Sequence, residues 1–170
     1  MSTKTVDDRF ELVKTLEIVV PEGYDHSKRL GSFDREHRKA FYYYDDAITD
    51  ENYVKATTKL EPGRKLKVKM FQIKEKVTSE DCLVFLRSQK AVLVGAHGAS
   101  LAFEQKKEEL PVNRWSVSLD KKNALWKDTF GRHRVPFVRR SSDGGFEFDL
   151  GYFEFDWYGD DCLLCFCDAD

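Results

Sequence analysis

Three cysteines near the end of the sequence are the residues best suited to hold a metal ion. Cys162, Cys165 and Cys167 form a Cys-x-x-Cys-x-Cys pattern, and thiolates bind zinc when about four ligands surround the ion as a tetrahedron. The pattern lies in an apolar stretch that predicts a strand, in which Cys162 and Cys165 point to opposite faces. No second Cys-x-x-Cys and no pair of histidines accompanies it. Buried, reduced thiols therefore explain these residues better than a metal site or a redox sensor does.

A glycine-containing segment, Gly95–Ser100, supplies two catalytic candidates, His97 and Ser100. Backbone N–H groups at the start of a helix favour anions, and an imidazole beside a hydroxyl could transfer a proton. The segment matches neither a phosphate-binding P-loop nor a dinucleotide-binding fingerprint, and we expect no cofactor. A connection between two helices, with Ser100 as the N-cap of the second, explains the same residues without chemistry.

Two groups of basic residues could contact nucleic acid. The first is Arg132, His133 and Arg134, close in sequence to the rings of Trp126 and Phe130, and single-stranded nucleic acid binds to such mixtures of cations and rings. The second is the lysine stripe, which consists of Lys65, Lys67 and Lys69 on one face of a predicted strand. Residues 143–170 contain acids and neither Lys nor Arg, so they would weaken a positive field next to the first group.

The clearest folding signal in the sequence is a β-hairpin over residues 134–153. Asp143-Gly144 tolerates the positive φ angles of a two-residue type I′ turn. A two-residue turn places Phe137 opposite Leu150 on one face of the hairpin. It places Arg140 opposite Glu147 on the other face, where the two side chains would form an ion pair. The sequence thus predicts an apolar face and a charged face.

Alternating apolar residues and capping signals predict the elements around this hairpin. Further strands are predicted over residues 10–20, 65–76, 114–119, 124–127 and 161–167. Thr78-Ser-Glu-Asp81 resembles a capping box and starts a helix that runs to about Lys90. A second helix is predicted over Ser100–Leu110, because Pro111 ends it. Residues 24–51 mix charges with aromatic side chains and predict at most one short strand.

These elements predict one α+β domain over residues 10–170. Its antiparallel sheet has five or six strands, and the two helices within about residues 79–110 pack on one face. The lysine stripe favours an edge position for its strand, since edge lysines discourage pairing with other molecules. The strand over residues 161–167 is apolar on both faces, which is typical of an interior strand.

Composition and charge limit the class of protein. The 170 residues are 41% hydrophobic and 34% charged, as in globular domains rather than disordered chains. The net charge of −2 gives no general attraction to nucleic acid or to an anionic membrane. Neither a long apolar run nor a signal peptide is apparent, so we expect a cytoplasmic protein without membrane contact, with residues 1–9 as a disordered tail.

The pattern over about residues 65–168 resembles a group of short, uncharacterised bacterial proteins. The resemblance is carried by Thr78–Asp81, by Pro111 after the second helix, by the Trp115 strand, by Gly131-x-x-x-Val135-Pro136 and by the closing Leu-Leu-Cys-Phe. It implies a fold and no activity. The sequence favours a small non-catalytic binding protein whose partner is a protein. The alternatives are a nucleic-acid-associated accessory protein and an enzyme with a site near His97.

Overall fold

The computed structural model describes residues 7–159 and 161–169. Within these residues the chain forms eight strands, three α-helices and three short 3₁₀ helices. The strands are β1 Phe10–Val19, β2 Phe41–Tyr44, β3 Lys65–Ile73, β4 Trp115–Val117, β5 Trp126–Lys127, β6 His133–Arg140, β7 Phe146–Tyr152 and β8 Asp161–Asp168. The α-helices are α1 Arg29–His37, α2 Ser79–Ser88 and α3 Gly95–Lys106. The 3₁₀ helices are Arg38–Ala40, Lys107–Glu109 and Lys122–Ala124.

The α+β class is confirmed, whereas the predicted counts of five or six strands and two helices are too low. The third helix, α1, lies in the stretch that the sequence left without a helix. Most of the predicted tail, residues 1–6, lies outside the described residues. Residues 7–9 form a turn in which the N–H of Phe10 donates to the carbonyl oxygen of Asp7 at 3.1 Å. Among the described residues, no helix is long and apolar enough to cross a bilayer.

All eight strands belong to one mostly antiparallel sheet. Its order is β1-β3-β8-β4-β6-β7-β2, and β5 pairs with β6. The pairs β4 with β8 and β2 with β7 are parallel. The interior position predicted for the last strand is confirmed, because β8 lies between β3 and β4. The edge position predicted for the lysine stripe is wrong, since β3 has neighbours on both sides.

The predicted hairpin exists, but its register is shifted by one residue. The N–H of Ser141 donates to the carbonyl of Gly145 at 2.8 Å, and the N–H of Gly144 donates to the carbonyl of Ser141 at 3.0 Å. These bonds close a three-residue loop in which Gly144 has φ +90°, instead of a two-residue turn. In consequence Phe137 lies opposite Asp149 rather than Leu150.

The shift of one residue changes which side chains of the two strands share a face of the hairpin, because successive side chains along a strand point to opposite faces. Val138 now pairs with Phe148, and Arg139 lies opposite Glu147. The predicted ion pair of Arg140 with Glu147 is therefore wrong. Arg140 instead donates to the carbonyl oxygen of Glu108 at 2.6 Å, which ties the hairpin to the segment after α3.

The two predicted helices pack on opposite faces of the sheet, not on one. In α2, Phe85 packs edge-on against Phe71 of β3, with ring centroids 4.8 Å apart. In α3, Gly98 lies against Phe166 of β8, which is opposite Val68 in the ladder. Since Phe71 is three positions from Val68 in a regular strand, its side chain points to the other face. The capping box that begins α2 is confirmed, with Thr78 and Asp81 each accepting from the other's backbone N–H.

Aromatic rings fill the space between α1, α3 and the end of the sheet formed by β7 and β2. Phe33 of α1 is completely buried among them, and so is Phe148 of β7. The cluster consists of Phe33, Phe41, Tyr44, Phe103, Phe146 and Phe148. Large rings contribute most of the buried apolar area in such a core. The sheet therefore has one heavily packed face here, and the opposite face of the same strands is left more open.

Helix α3 begins at Gly95, five residues before the predicted start at Ser100. A Cβ atom at Gly98 would lie 2.2 Å from Cγ2 of Val94 and 3.0 Å from the ring of Phe166. Gly98→Ala is expected to lower the free energy of unfolding by up to about 2 kcal/mol, because an overpacking cost of about 1–3 kcal/mol is only partly offset by a gain in helix propensity of about 1 kcal/mol. Urea unfolding monitored by circular dichroism measures this change. A variant more stable than the original chain would contradict the tight packing.

Candidate functional site

An open cleft of about 640 Å³ lies on the face of the sheet opposite α1 and α3. Its size falls within the range of about 300–1,000 Å³ that is typical of ligand pockets. Six of its thirteen lining residues are aromatic: Trp115, Phe137, Tyr152, Phe155, Trp157 and Tyr158. We refer to this pocket as the aromatic cleft.

The floor of the aromatic cleft is a stacked pair of rings from β4 and β6. Trp115 and Phe137 lie nearly parallel, with centroids 4.2 Å apart and an interplanar angle of 7°. The two side chains share a face because Trp115 is paired with Arg139, two residues along β6 from Phe137. Phe137 is buried, whereas Trp115 is 38% exposed. The indole of Trp115 therefore lines an open cavity.

One wall of the aromatic cleft is the segment after β7, held in place by Trp157. Backbone hydrogen bonds of 2.8 and 3.1 Å join Trp157 to Val77. The indole Nε1–H donates to Oγ of Ser79 at 2.9 Å, and that hydroxyl donates to the carbonyl oxygen of Phe153 at 2.7 Å. Because the buried Trp157 is anchored, the neighbouring Phe155 and Tyr158 stay in position while remaining about half exposed.

Polar groups line the aromatic cleft beside the rings. The guanidinium of Arg139 donates to the hydroxyls of Tyr42 and Ser141 at 3.3 and 3.0 Å. Asp149, on β7, is one of the carboxylates in the lining. Burial, with a contribution from the charge of Asp45, raises the pKa of Asp149. The cleft therefore presents hydrogen-bonding groups of both charges rather than a strong field of one sign.

Cations from the chain itself lie against the outer rings of the aromatic cleft. The guanidinium carbon of Arg132 is 4.6 Å from the centre of the Phe155 ring, a cation–π distance. Lys76 Nζ lies 3.3 Å from Oδ2 of Asp156 and 6.0 Å from the centre of the Tyr158 ring. These contacts offset the acidic side chains at the rim, so the mouth of the cleft is close to neutral.

Comparison with known proteins assigns no function to this site. No family model, curated protein or solved structure matches this chain. The resemblance to short, uncharacterised bacterial proteins therefore stays a prediction.

In the first group of nucleic-acid candidates each side chain has a partner within the chain. Arg132 and Arg134 lie against rings of the aromatic cleft, whereas His133 lines a separate pocket. Arg132 stacks on Phe155, as above. His133 Nδ1 lies 2.7 Å from Oε2 of Glu154. Arg134 donates to the carbonyl oxygen of Leu150 at 2.8 Å and stacks on the Tyr152 ring at 4.5 Å. Binding of phosphate by these residues would require exchanging such contacts.

The lysine stripe is separate from this group. Lys65, Lys67 and Lys69 are on β3, and both β8 and β4 lie between β3 and β6 in the sheet. The alternation that identified the stripe is present, since Leu66, Val68 and Met70 are buried between the lysines. The two basic groups therefore do not form one continuous surface.

The catalytic candidates His97 and Ser100 lie inside α3 and are buried. The Ser100 hydroxyl donates to the carbonyl of His97 at 2.7 Å and accepts from Nε of Arg29 at 3.0 Å. The His97 ring stacks on His26, with centroids 3.8 Å apart. Burial lowers the pKa of His97 to about 3. The structure brings the two residues close together, in a packed interior rather than at the aromatic cleft.

The three candidate metal-ligating cysteines are divided between the two faces of β8. Sγ of Cys165 lies 3.7 Å from Sγ of Cys167, while Cys162 points away from both, as the alternation predicts. Burial raises the pKa of the Cys162 thiol to about 12. Among the described residues, no cysteine lies close enough to two other potential metal ligands to form a three-ligand group. The geometry fits thiols packed in the sheet.

Sequence reasoning missed the aromatic cleft although it flagged several of its neighbours. The cleft combines a strand near residue 115, a strand near residue 137 and the segment after residue 152, and only the strand pairing brings these together. A usable signal was the run of rings in residues 152–158, which is too long to be buried on one strand face.

Proposed function

We propose that this chain is a small cytoplasmic binding protein without catalysis, and that the aromatic cleft holds an apolar side chain of a protein partner. The observation that carries this proposal is the exposure of Trp115, Phe155 and Tyr158 around one cavity. Aromatic side chains that remain exposed as a cluster mark interaction sites. Tyr and Trp are also the residues that contribute most to binding energy at protein interfaces.

The charge of the aromatic cleft favours a protein over nucleic acid. Three carboxylates (Asp149, Asp156 and Asp161) and the guanidinium of Arg139 line it, and Arg132 and Lys76 lie against its outer rings. Because these charges nearly cancel, a phosphate gains no net electrostatic attraction there, whereas an apolar side chain needs none. The polar groups can instead pair with the backbone of a partner segment, as at the rim of most interfaces.

The alternative functions have less support. Nucleic-acid binding would have to displace Arg132, His133 and Arg134 from partners within the chain. An enzyme acting through His97 would need substrate to reach a side chain that is 2% exposed. The aromatic cleft requires neither rearrangement.

Substitution of two cleft rings is expected to abolish capture of the partner. The double variant Trp115→Ala, Tyr158→Ala removes two exposed rings, and losing interface anchors of about 2 kcal/mol each weakens binding by roughly 30-fold or more per ring. The measurement is a native pull-down at low and high salt, followed by calorimetry with the identified partner after purification. Val84→Ala is the matched control, because Val84 is also exposed but lies on α2 outside the cleft.

Three results would contradict the proposal. One is capture that is unchanged by the double variant while that variant keeps the thermal unfolding midpoint of the original chain. Another is an equal loss in the Val84→Ala control. The third is retention of an oligonucleotide that falls steeply with salt, since that dependence is the property of phosphate binding.

A further inference from the structure

Three potential metal ligands from two helices meet at the end of α1. Nε2 of His37 lies 3.2 Å from Oε1 of Glu104 and 3.8 Å from Oε2 of Glu36. One ligand atom from each residue lies within 4.8 Å of the other two. Glu36 and His37 are the last two residues of α1, and Glu104 is in the last turns of α3. The group therefore bridges two elements that are far apart in sequence.

The packing around His37 fixes its imidazole in place. The ring centre lies 4.7 Å from that of Phe33 and 6.0 Å from that of Phe103. A ligand held in this way loses little side-chain entropy when it binds an ion, which is a requirement of preorganised sites. Glu36, in contrast, is largely exposed, so water can reach the group and complete the coordination.

The distances suit an imidazole and two carboxylates around one ion. Zinc lies about 2.0–2.2 Å from nitrogen and oxygen ligands, which separates neighbouring ligands in a tetrahedron by roughly 3.4 Å. Nε2 of His37 lies 3.2 Å from the Glu104 carboxylate and 3.8 Å from the Glu36 carboxylate, one slightly below and one slightly above that separation. Only small side-chain movements are needed to place an ion between them.

The surrounding charges also permit a cation. Arg29 donates to both carboxylate oxygens of Glu104 at 3.4 and 3.2 Å, which orients this ligand as outer partners do in metal sites. Its charge offsets one of the two carboxylates, so the group keeps a net negative charge. The carboxyl end of a helix, where Glu36 and His37 lie, carries a partial negative charge that favours cations.

We propose that Glu36, His37 and Glu104 bind a divalent transition-metal ion of the zinc class, with water in the remaining position. Three protein ligands and one open position are typical of zinc sites that are accessible to solvent. The bound ion would join the end of α1 to α3. This site is separate from the aromatic cleft and from the cysteines.

The test is a zinc titration of the full chain after dialysis against a chelator. Calorimetry is expected to show one saturable site, and zinc is expected to raise the thermal unfolding midpoint, because an ion that binds only the folded state stabilises it. Glu36→Gln should weaken zinc binding by at least about 10-fold, the smallest effect of losing even an outer partner of a ligand. His37→Asn should weaken it further.

Cys167→Ser is the control that separates this site from a thiol site. It should leave zinc binding unchanged, and cobalt substituted for zinc should show no thiolate charge-transfer band. Because the Glu36 side chain is 65% exposed, Glu36→Gln keeps the fold and a loss of binding is attributable to the ligand. The proposal is overturned by the absence of saturable binding, by binding that both ligand variants retain, or by binding that Cys167→Ser removes.

Discussion

Phe33→Ala is expected to lower the free energy of unfolding by about 3–5 kcal/mol, the range for removing a buried phenylalanine. Phe33 is completely buried and contacts rings from two different elements. Its ring lies edge-on to Phe103 at 5.8 Å and to Phe148 at 5.7 Å. Removing it leaves a cavity bordered by rigid rings and a helix, which cannot collapse to fill the space.

Urea unfolding followed by circular dichroism measures this loss. Phe130→Ala is a matched control, because the same atoms are removed from a side chain that is 87% exposed. That variant should stay within about 0.5 kcal/mol of the original chain. Equal effects of the two substitutions would show that Phe33 does not hold α1 against the sheet.

Acid is expected to destabilise the fold through His97. Burial lowers the pKa of this imidazole from its ordinary 6.5 to about 3, and the charge of His26 acts in the same direction. Between these values the unfolded chain binds a proton at His97 that the folded chain does not bind. Stability therefore falls as the pH falls below about 6.5, by up to about 1.4 kcal/mol per pH unit, or roughly 3 kcal/mol by pH 4.

The variant His97→Phe tests this assignment. Phenylalanine keeps a planar ring against His26 and removes the titrating group. Nδ1 of His97 has no hydrogen-bond partner among the described residues, and the hydrogen bond of the imidazole to the backbone of His26 is lost with the substitution. The difference in unfolding free energy between the original chain and the variant should be constant above about pH 7 and should change steadily between pH 6 and 4. Parallel profiles over the whole range would rule out His97 as the source.

The hairpin shows how far the local sequence determined the fold. Asp143-Gly144 correctly marked the turn, but Gly144 suits two loops equally well. A type I′ turn needs positive φ at both residues, whereas the observed three-residue loop needs it only at Gly144. The choice between the two loops depends on how the side chains of the two strands pack. That choice decides which face of the sheet each side chain of β7 occupies.

The local sequence does not predict helix α1, because the residue that caps the helix is distant in sequence. Lys28 stands at the N-cap position and provides no side-chain bond to the helix. The carboxylate of Asp50 instead accepts from the N–H groups of Leu30 and Gly31 at 2.8 and 2.9 Å. A local reading of this charged segment finds no start signal. The proposed metal ligands Glu36 and His37 lie in the same helix and were missed with it.

The central position of β8 has a consequence for synthesis. Until residues 161–168 leave the ribosome, β3 and β4 share no hydrogen-bonded neighbour, and each has an unpaired edge. Open strand edges on a nascent chain recruit other chains. We therefore expect the nascent chain to be most open to pairing with other chains before β8 is made, and the pairing of β8 with β3 and β4 closes both edges.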